Sequence, residues 1–305
     1  MRSRAGAVAA VILLIGALAQ APVAATPSWT PVDQATIRPG AQTLTAGQAQ
    51  CTANFIFHDG SDVYIGQAAH CSLDPDLAGS LAPSGPQGCI STSLPLGTPV
   101  EIAGASRPGQ LVYNSWITMQ EVGETDSNTC AYNDFALVKL DRADIGRVNP
   151  TMPHWGGPTG LATSTSPGEK VVSYGVSELR FGLSGLSPKE GVSRGQSMGG
   201  WNHTVVTVTP GIPGDSGSGF MDSQGRAFGV LSTLVLLPLP AHNGVGDLSR
   251  ELDYMRAHTG LDRVVLAAGT EPFSSASALD PALPLINPAL DLLDLSVGLL
   301  RGLGL

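Results

Sequence analysis

Short runs rich in Val, Ile, Tyr and Thr recur along the chain, each cut off by Gly, Pro or Ser. They read TPVEIAG (98–104), QLVYNSWITM (110–119), DFALVKL (134–140), KVVSYGV (170–176), HTVVTVT (203–209) and RAFGVLST (226–233). None is long enough for a typical helix, and no helical segments alternate with them, so the pattern predicts an all-β barrel or sandwich. The 38 glycines and 23 prolines supply the many turns that such a fold needs.

The stretch CTANFIFHDGSDVYIGQAAHC (51–71) narrows this further. Two apolar runs flank Asp59-Gly60, a strong hairpin signal. Folding the chain back there sets Cys51 opposite Cys71, which predicts a disulfide if the Cα atoms come within about 7 Å. Of the four cysteines, Cys89 and Cys130 then pair by elimination. Disulfides belong to an oxidising compartment. The opening residues agree: Arg2 and Arg4, an apolar run to about Ala19, then Val23-Ala24-Ala25 before Thr26. This is the pattern of a secretory signal over 1–25, and the apolar run is short for a membrane span. The expected location is extracytoplasmic.

Charge excludes more than it identifies. The net charge is −9 and the only lysines are Lys139, Lys170 and Lys189, so no basic stripe exists for nucleic acid. No C-x-x-C spacing points to zinc, and the scattered acids Asp74, Asp76, Glu121, Glu124 and Asp126 lack the spacing of a calcium loop. One helix is expected from DLSRELDYMRAHTG, with Asp247 as N-cap, Gly260 as stop and Leu248, Leu252 and Met255 on one face. The sequence divides into the signal, an N-terminal or propeptide segment at 26–48, a β domain at 49–268, and a Leu/Pro-rich tail at 269–305. Asn287-Pro288 can open an amphipathic helix in that tail, whose contact would be its own domain, a surface or a partner.

The chemistry centres on GIPGDSGSGF (211–220). A serine hydroxyl needs a neighbouring base, and the base needs a third group to fix its tautomer. His70 ends a hairpin strand beside Cys71, and Asp134 enters an apolar run where an unpaired carboxylate would be costly. In order, the chain reads GQAAHC, NDFALVKL and PGDSGS. That ordered set closely resembles the chymotrypsin-like (trypsin-like) serine proteases, especially their secreted bacterial branch, over roughly residues 37–267.

The resemblance implies a double six-stranded antiparallel β-barrel with a C-terminal helix and a tail. It implies endopeptidase activity on a protein or peptide substrate, without metal or organic cofactor. His70 would be the general base, Asp134 its orienting acid and Ser216 the nucleophile. The Gly214 and Ser216 N–H groups would form the oxyanion hole. Ser232, Thr233 and Leu234, in GVLST and just beyond, would pair with substrate backbone and wall the primary specificity pocket, with Pro210 at its base. Pro210 stands where trypsins keep an Asp, so cleavage after Arg or Lys is not expected; Leu234 favours small or aliphatic side chains. Ser218 replaces a common Gly, with a small local effect expected. The family holds the residue matching Asp215 by a freed N-terminal amine or by an internal Arg. Ile37, in Ile-Arg-Pro-Gly, leaves that choice open.

Two other readings compete. An esterase elbow needs G-x-S-x-G, which Ser218 breaks, although Asp247 and His258 follow Ser216 in the required order. A protease-like domain with an idle triad, kept for binding or surface attachment, is the other.

Overall fold

The computed structural model describes residues 27–46, 49–74, 88–235 and 242–276. The signal segment and the helix expected from Asn287 lie outside them. Among the described residues, no helix is long and apolar enough to cross a membrane.

Two sheets follow one another along the chain, antiparallel except where Gly160–Leu161 pairs parallel with Arg226 and Ala227. The first holds β1 (Gln42–Thr45), β2 (Ala49–Thr52), β3 (Ile56–His58), β4 (Val63–Gln67), β5 (Pro99–Ile102), β6 (Gly109–Asn114) and β7 (Ala136–Lys139). The second holds β8 (Gly160–Leu161), β9 (Lys170–Tyr174), β10 (Pro188–Ser197), β11 (Asn202–Val208), β12 (Gly219–Met221), β13 (Arg226–Val235) and β14 (His242–Asp247). In the second, the order β12-β9-β10-β11-β14-β13 is closed by pairing of β12 with β13, which makes a six-stranded barrel. The first curls without closing through its ladder. Its order runs β3-β4-β7-β6-β5-β1-β2, and β15 (Val265–Leu266) adds to the β3 edge. The last strand among the described residues thus returns to the first sheet.

The hairpin centred on Asp59-Gly60 forms as its turn chemistry predicts, with Ile56 opposite Ile65 and His58 opposite Val63. Asp59 Oδ1 accepts from the Ser61 and Asp62 N–H groups, and Gly60 sits at φ 91°. Both disulfides are present: Cys51–Cys71 with Cα atoms 6.1 Å apart, and Cys89–Cys130 with 5.1 Å.

One expected strand is corrected. The run 110–119 is strand only to Asn114, and α1 (Ser115–Val122) follows. Asn114 is buried, and its side-chain oxygen accepts from the N–H groups of Trp116 and Ile117. A satisfied N-cap outweighs the β-propensity of Trp116 and Ile117. Helix α2 (Ser127–Tyr132) carries Cys130, and α3 (Leu248–His258) starts at Asp247 as expected, the Asp247 carboxylate accepting from Arg250 N–H. Leu248, Leu252 and Met255 are buried in a core shared by both sheets, with Phe55, Phe57, Phe135, Trp155, Val172 and Val230.

The packed body extends past the expected boundaries at both ends. Ile37 is fully buried and bridges to Val148. At the other end, Ser274 N–H donates to the Trp155 carbonyl, and Phe273 packs against the shared core.

Candidate active site

His70 lies where the first sheet meets the second. After β4 the chain makes a 3-10 turn over Ala69–Ser72, with the Cys51–Cys71 bridge beside the imidazole. Its side chain is 22% exposed, while Asp134, against which it rests, is fully buried. His70 Nδ1 is 2.7 Å from Asp134 Oδ2, and the His70 main-chain N–H donates to Oδ1 at 2.9 Å. Ser232 Oγ donates to Oδ2 at 2.5 Å. The carboxylate therefore accepts three bonds, which offsets much of the cost of burying its charge. Burial alone would lower the His70 pKa; the Asp134 charge and hydrogen bond outweigh it and hold the pKa above the ordinary 6.5. With Nδ1 turned to the carboxylate, Nε2 of the neutral ring is the basic nitrogen.

Ser216 is brought to this corner from the second barrel. Its carbonyl accepts from Thr52 N–H, one residue from the bridged Cys51, at 2.8 Å. Gly217 N–H donates to the Leu231 carbonyl, next to Ser232. Ser216 is partly exposed, and its hydroxyl makes no hydrogen bond among the described residues. Glycine is required on both sides of the Asp215-Ser216 pair. Gly214 sits at φ 93°, and Gly217 at φ 86°, where a Cβ would lie 2.7 Å from both Ala68 N and the Thr52 carbonyl. Among the described residues the Gly214 and Ser216 N–H groups donate no hydrogen bond. Ser218, in the place of a Gly, is buried and donates to the Asp215 carbonyl at 2.7 Å, which tightens the turn.

Asp215 is fully buried and held from inside the second barrel. Arg180 Nη2 reaches Oδ2 at 2.5 Å and Lys189 Nζ the same oxygen at 3.1 Å. Ser177 N–H and Ile212 N–H donate to the two oxygens. Gly175 leaves room for the cluster, since a Cβ there would sit 2.3 Å from Asp215 Oδ1 and 2.8 Å from Lys189 Nζ. Ile37, by contrast, donates its N–H to the Arg147 carbonyl in the first half. Lys189 is fully buried; desolvation lowers its pKa from 10.5 to about 8, against the opposing pull of Asp215.

The segments expected to wall the specificity pocket lie side by side. Asn243, fully buried, accepts from Gly211 N–H and donates to the carbonyls of Gly211 and Thr233. Leu234 pairs with Asn243 on β14, and the Pro210 carbonyl accepts from Arg180 Nη2. From sequence, none of Lys189, Arg180 and Asn243 was given a place in the site; an internal Arg was one of the two expected partners of Asp215, and Arg180 takes that place.

His70 also lies within 4.8 Å of the Cys51 and Cys71 sulfurs, but the disulfide consumes both thiols as metal ligands. The esterase order fails on geometry. Asp247 Oδ2 binds buried His203 Nε2 at 2.9 Å, while His258 Nδ1 faces the Tyr254 carbonyl.

No family model and no curated protein matches the sequence. Solved structures do. Thermobifida fusca protease A superposes with a TM-score of 0.50 at 16% identity, over 77% of this chain and all of that one. A glutamic acid specific serine protease (TM-score 0.47, 15% identity) covers 76% of this chain and all of its own, and Cellulomonas bogoriensis chymotrypsin (0.46, 14%) covers 76% and 98%. The fold is that of the chymotrypsin-like serine proteases.

Proposed function

We propose that the chain is a secreted serine endopeptidase working through His70, Asp134 and Ser216 with an acyl-enzyme intermediate. The observation that carries this reading is the wholly buried Asp134 carboxylate bonded at once to His70 Nδ1 and Ser232 Oγ, beside a serine on a glycine-flanked turn. His70 Nε2 takes the proton of Ser216 Oγ as that oxygen attacks the scissile carbonyl carbon. The carbonyl oxygen becomes an oxyanion between the Gly214 and Ser216 N–H groups, a stabilisation of roughly 3–4 kcal/mol. The imidazolium then protonates the leaving amine, and the acyl-enzyme forms. Water attacks the ester with His70 again as base, which releases the acid and restores Ser216.

Asp134 orients the imidazole and stabilises the imidazolium. A specificity pocket walled by Pro210, Ser232, Thr233 and Leu234 would take a small or aliphatic side chain, since Pro210 offers no carboxylate to a basic one. The two disulfides and the opening 1–25 segment support export. The test is hydrolysis of a panel of peptide p-nitroanilides by the wild type and His70→Ala. Turnover of aliphatic substrates, lost in the variant, is expected. A folded wild type that hydrolyses none would support the idle, binding reading instead.

A further inference from the structure

Asp134 is gripped at its main chain as well as at its carboxylate. The Asp134 carbonyl accepts from Ala69 N–H at 3.2 Å, and its N–H donates to Glu251 Oε1 at 3.1 Å. Glu251 is in the first turn of α3, is fully buried, and comes from a segment 117 residues later in the chain. Its second oxygen has no hydrogen-bond partner among the described residues. Gly246 on β14 is pressed against the carboxyl: a Cβ there would lie 2.4 Å from Oε1.

The ionisable groups acting on Glu251 are Asp134 ahead of β7 and Asp247 at the end of β14; Tyr113 on β6 feels it in turn, and Tyr254 on α3 faces Tyr113. None is a cation. Burial first, then the charges of Asp134 and Asp247, push its pKa well above the ordinary carboxylate range. The α3 dipole favours a charge there only weakly. Burying an unpaired ion is far more costly, so the neutral acid prevails.

We propose that Glu251 is a positioning residue for the reaction: as an uncharged carboxylic acid rooted in α3, it fixes the main chain of Asp134 and so the carboxylate that orients His70. The inference rests on the triad reading above. It ties the C-terminal helix to the catalytic base through one hydrogen bond. An uncharged acceptor does this without adding a second negative charge behind His70, which would drive the imidazole pKa further up and slow the enzyme near neutrality.

The experiment compares the full-length wild type with Glu251→Gln and Glu251→Met on a peptide ester. It reads kcat, KM and the acid limb of kcat/KM, with fluorophosphonate labelling of each protein alongside. Met fills similar volume without an acceptor, so kcat should fall about ten- to a hundredfold with KM little changed. Gln keeps the acceptor and no charge, and should restore kcat with the acid limb unmoved. The infrared difference between wild type and Glu251→Gln at neutral pH should contain a protonated-carboxyl C=O band. Wild-type kcat in Glu251→Met would overturn the proposal. So would a Glu251→Gln acid limb displaced downward by about half a unit, together with no such band, since both mark an ionised Glu251. A wild type that neither labels nor turns over would remove the triad reading and this inference with it. A labelled wild type beside an unimpaired Glu251→Met removes this inference alone.

Discussion

At the residue scale the site is a matter of which charges are buried and what meets them. In the proposed mechanism His70 must be neutral to accept the Ser216 proton, and Asp134 raises its pKa above 6.5. The kcat/KM profile should therefore rise with pH through an apparent pKa above that value. Asp134→Asn should lower the midpoint and cut the rate by about 10⁴-fold, a change that pH-rate profiles of the two proteins would reveal. The same shift has a stability consequence of defined sign. A raised folded pKa contributes stability below pH 6.5 that is lost as pH climbs through the folded value.

Lys189 works the other way. Its folded pKa of about 8 lies below 10.5, so between those values the unfolded chain binds the extra proton and stability rises with pH. The gain is on the order of 3 kcal/mol. Urea melts across that window should show it in the wild type and not in Lys189→Met. Arg180→Met, which takes the 2.5 Å contact from Asp215, should cost more stability and most of the activity.

At the element scale, turn chemistry was the legible part. Asp59-Gly60 predicted its hairpin, the two cysteines at its ends predicted their bridge, and Asp247 predicted α3. Helix α1 was not legible, because Trp116, Ile117 and Met119 have the composition of a strand and the capping role of Asn114 depends on its burial. Glu251 was hidden for a related reason, since a Glu in a first helical turn looks like a solvated dipole partner. The Cys51–Cys71 bridge fastens the segment carrying Thr52, which holds the Ser216 carbonyl, to the segment carrying His70. Replacing both cysteines by serine should cost about 2–5 kcal/mol and lower kcat more than KM changes; chemical denaturation and kinetics on the double variant would check both.

At the scale of the whole molecule, each half contributes what the other lacks. The first sheet supplies His70 and Asp134; the second supplies Ser216, Ser232 and the glycine turn. α3 and β15 run from the second barrel back to the first, so the halves are stitched at the site. The ordered motifs carried most of this from sequence. Within the N-terminal segment, Ile37 is part of the core. With the Ile37 N–H committed to Arg147 and Asp215 already paired twice, activation should need no new N-terminus at Ile37. Protein whose N-terminus lies upstream of that residue is expected to be active, and N-terminal sequencing of the active species would contradict this if it began only at Ile37.

The central claim is that Ser216 is an activated nucleophile. Intact mass of the disulfide-bonded protein, measured before and after a fluorophosphonate probe with Ser216→Ala run beside it, is the direct test. A single adduct is expected on the wild type and none on the variant. A folded wild type that takes no adduct, or an adduct that survives in Ser216→Ala, would contradict it.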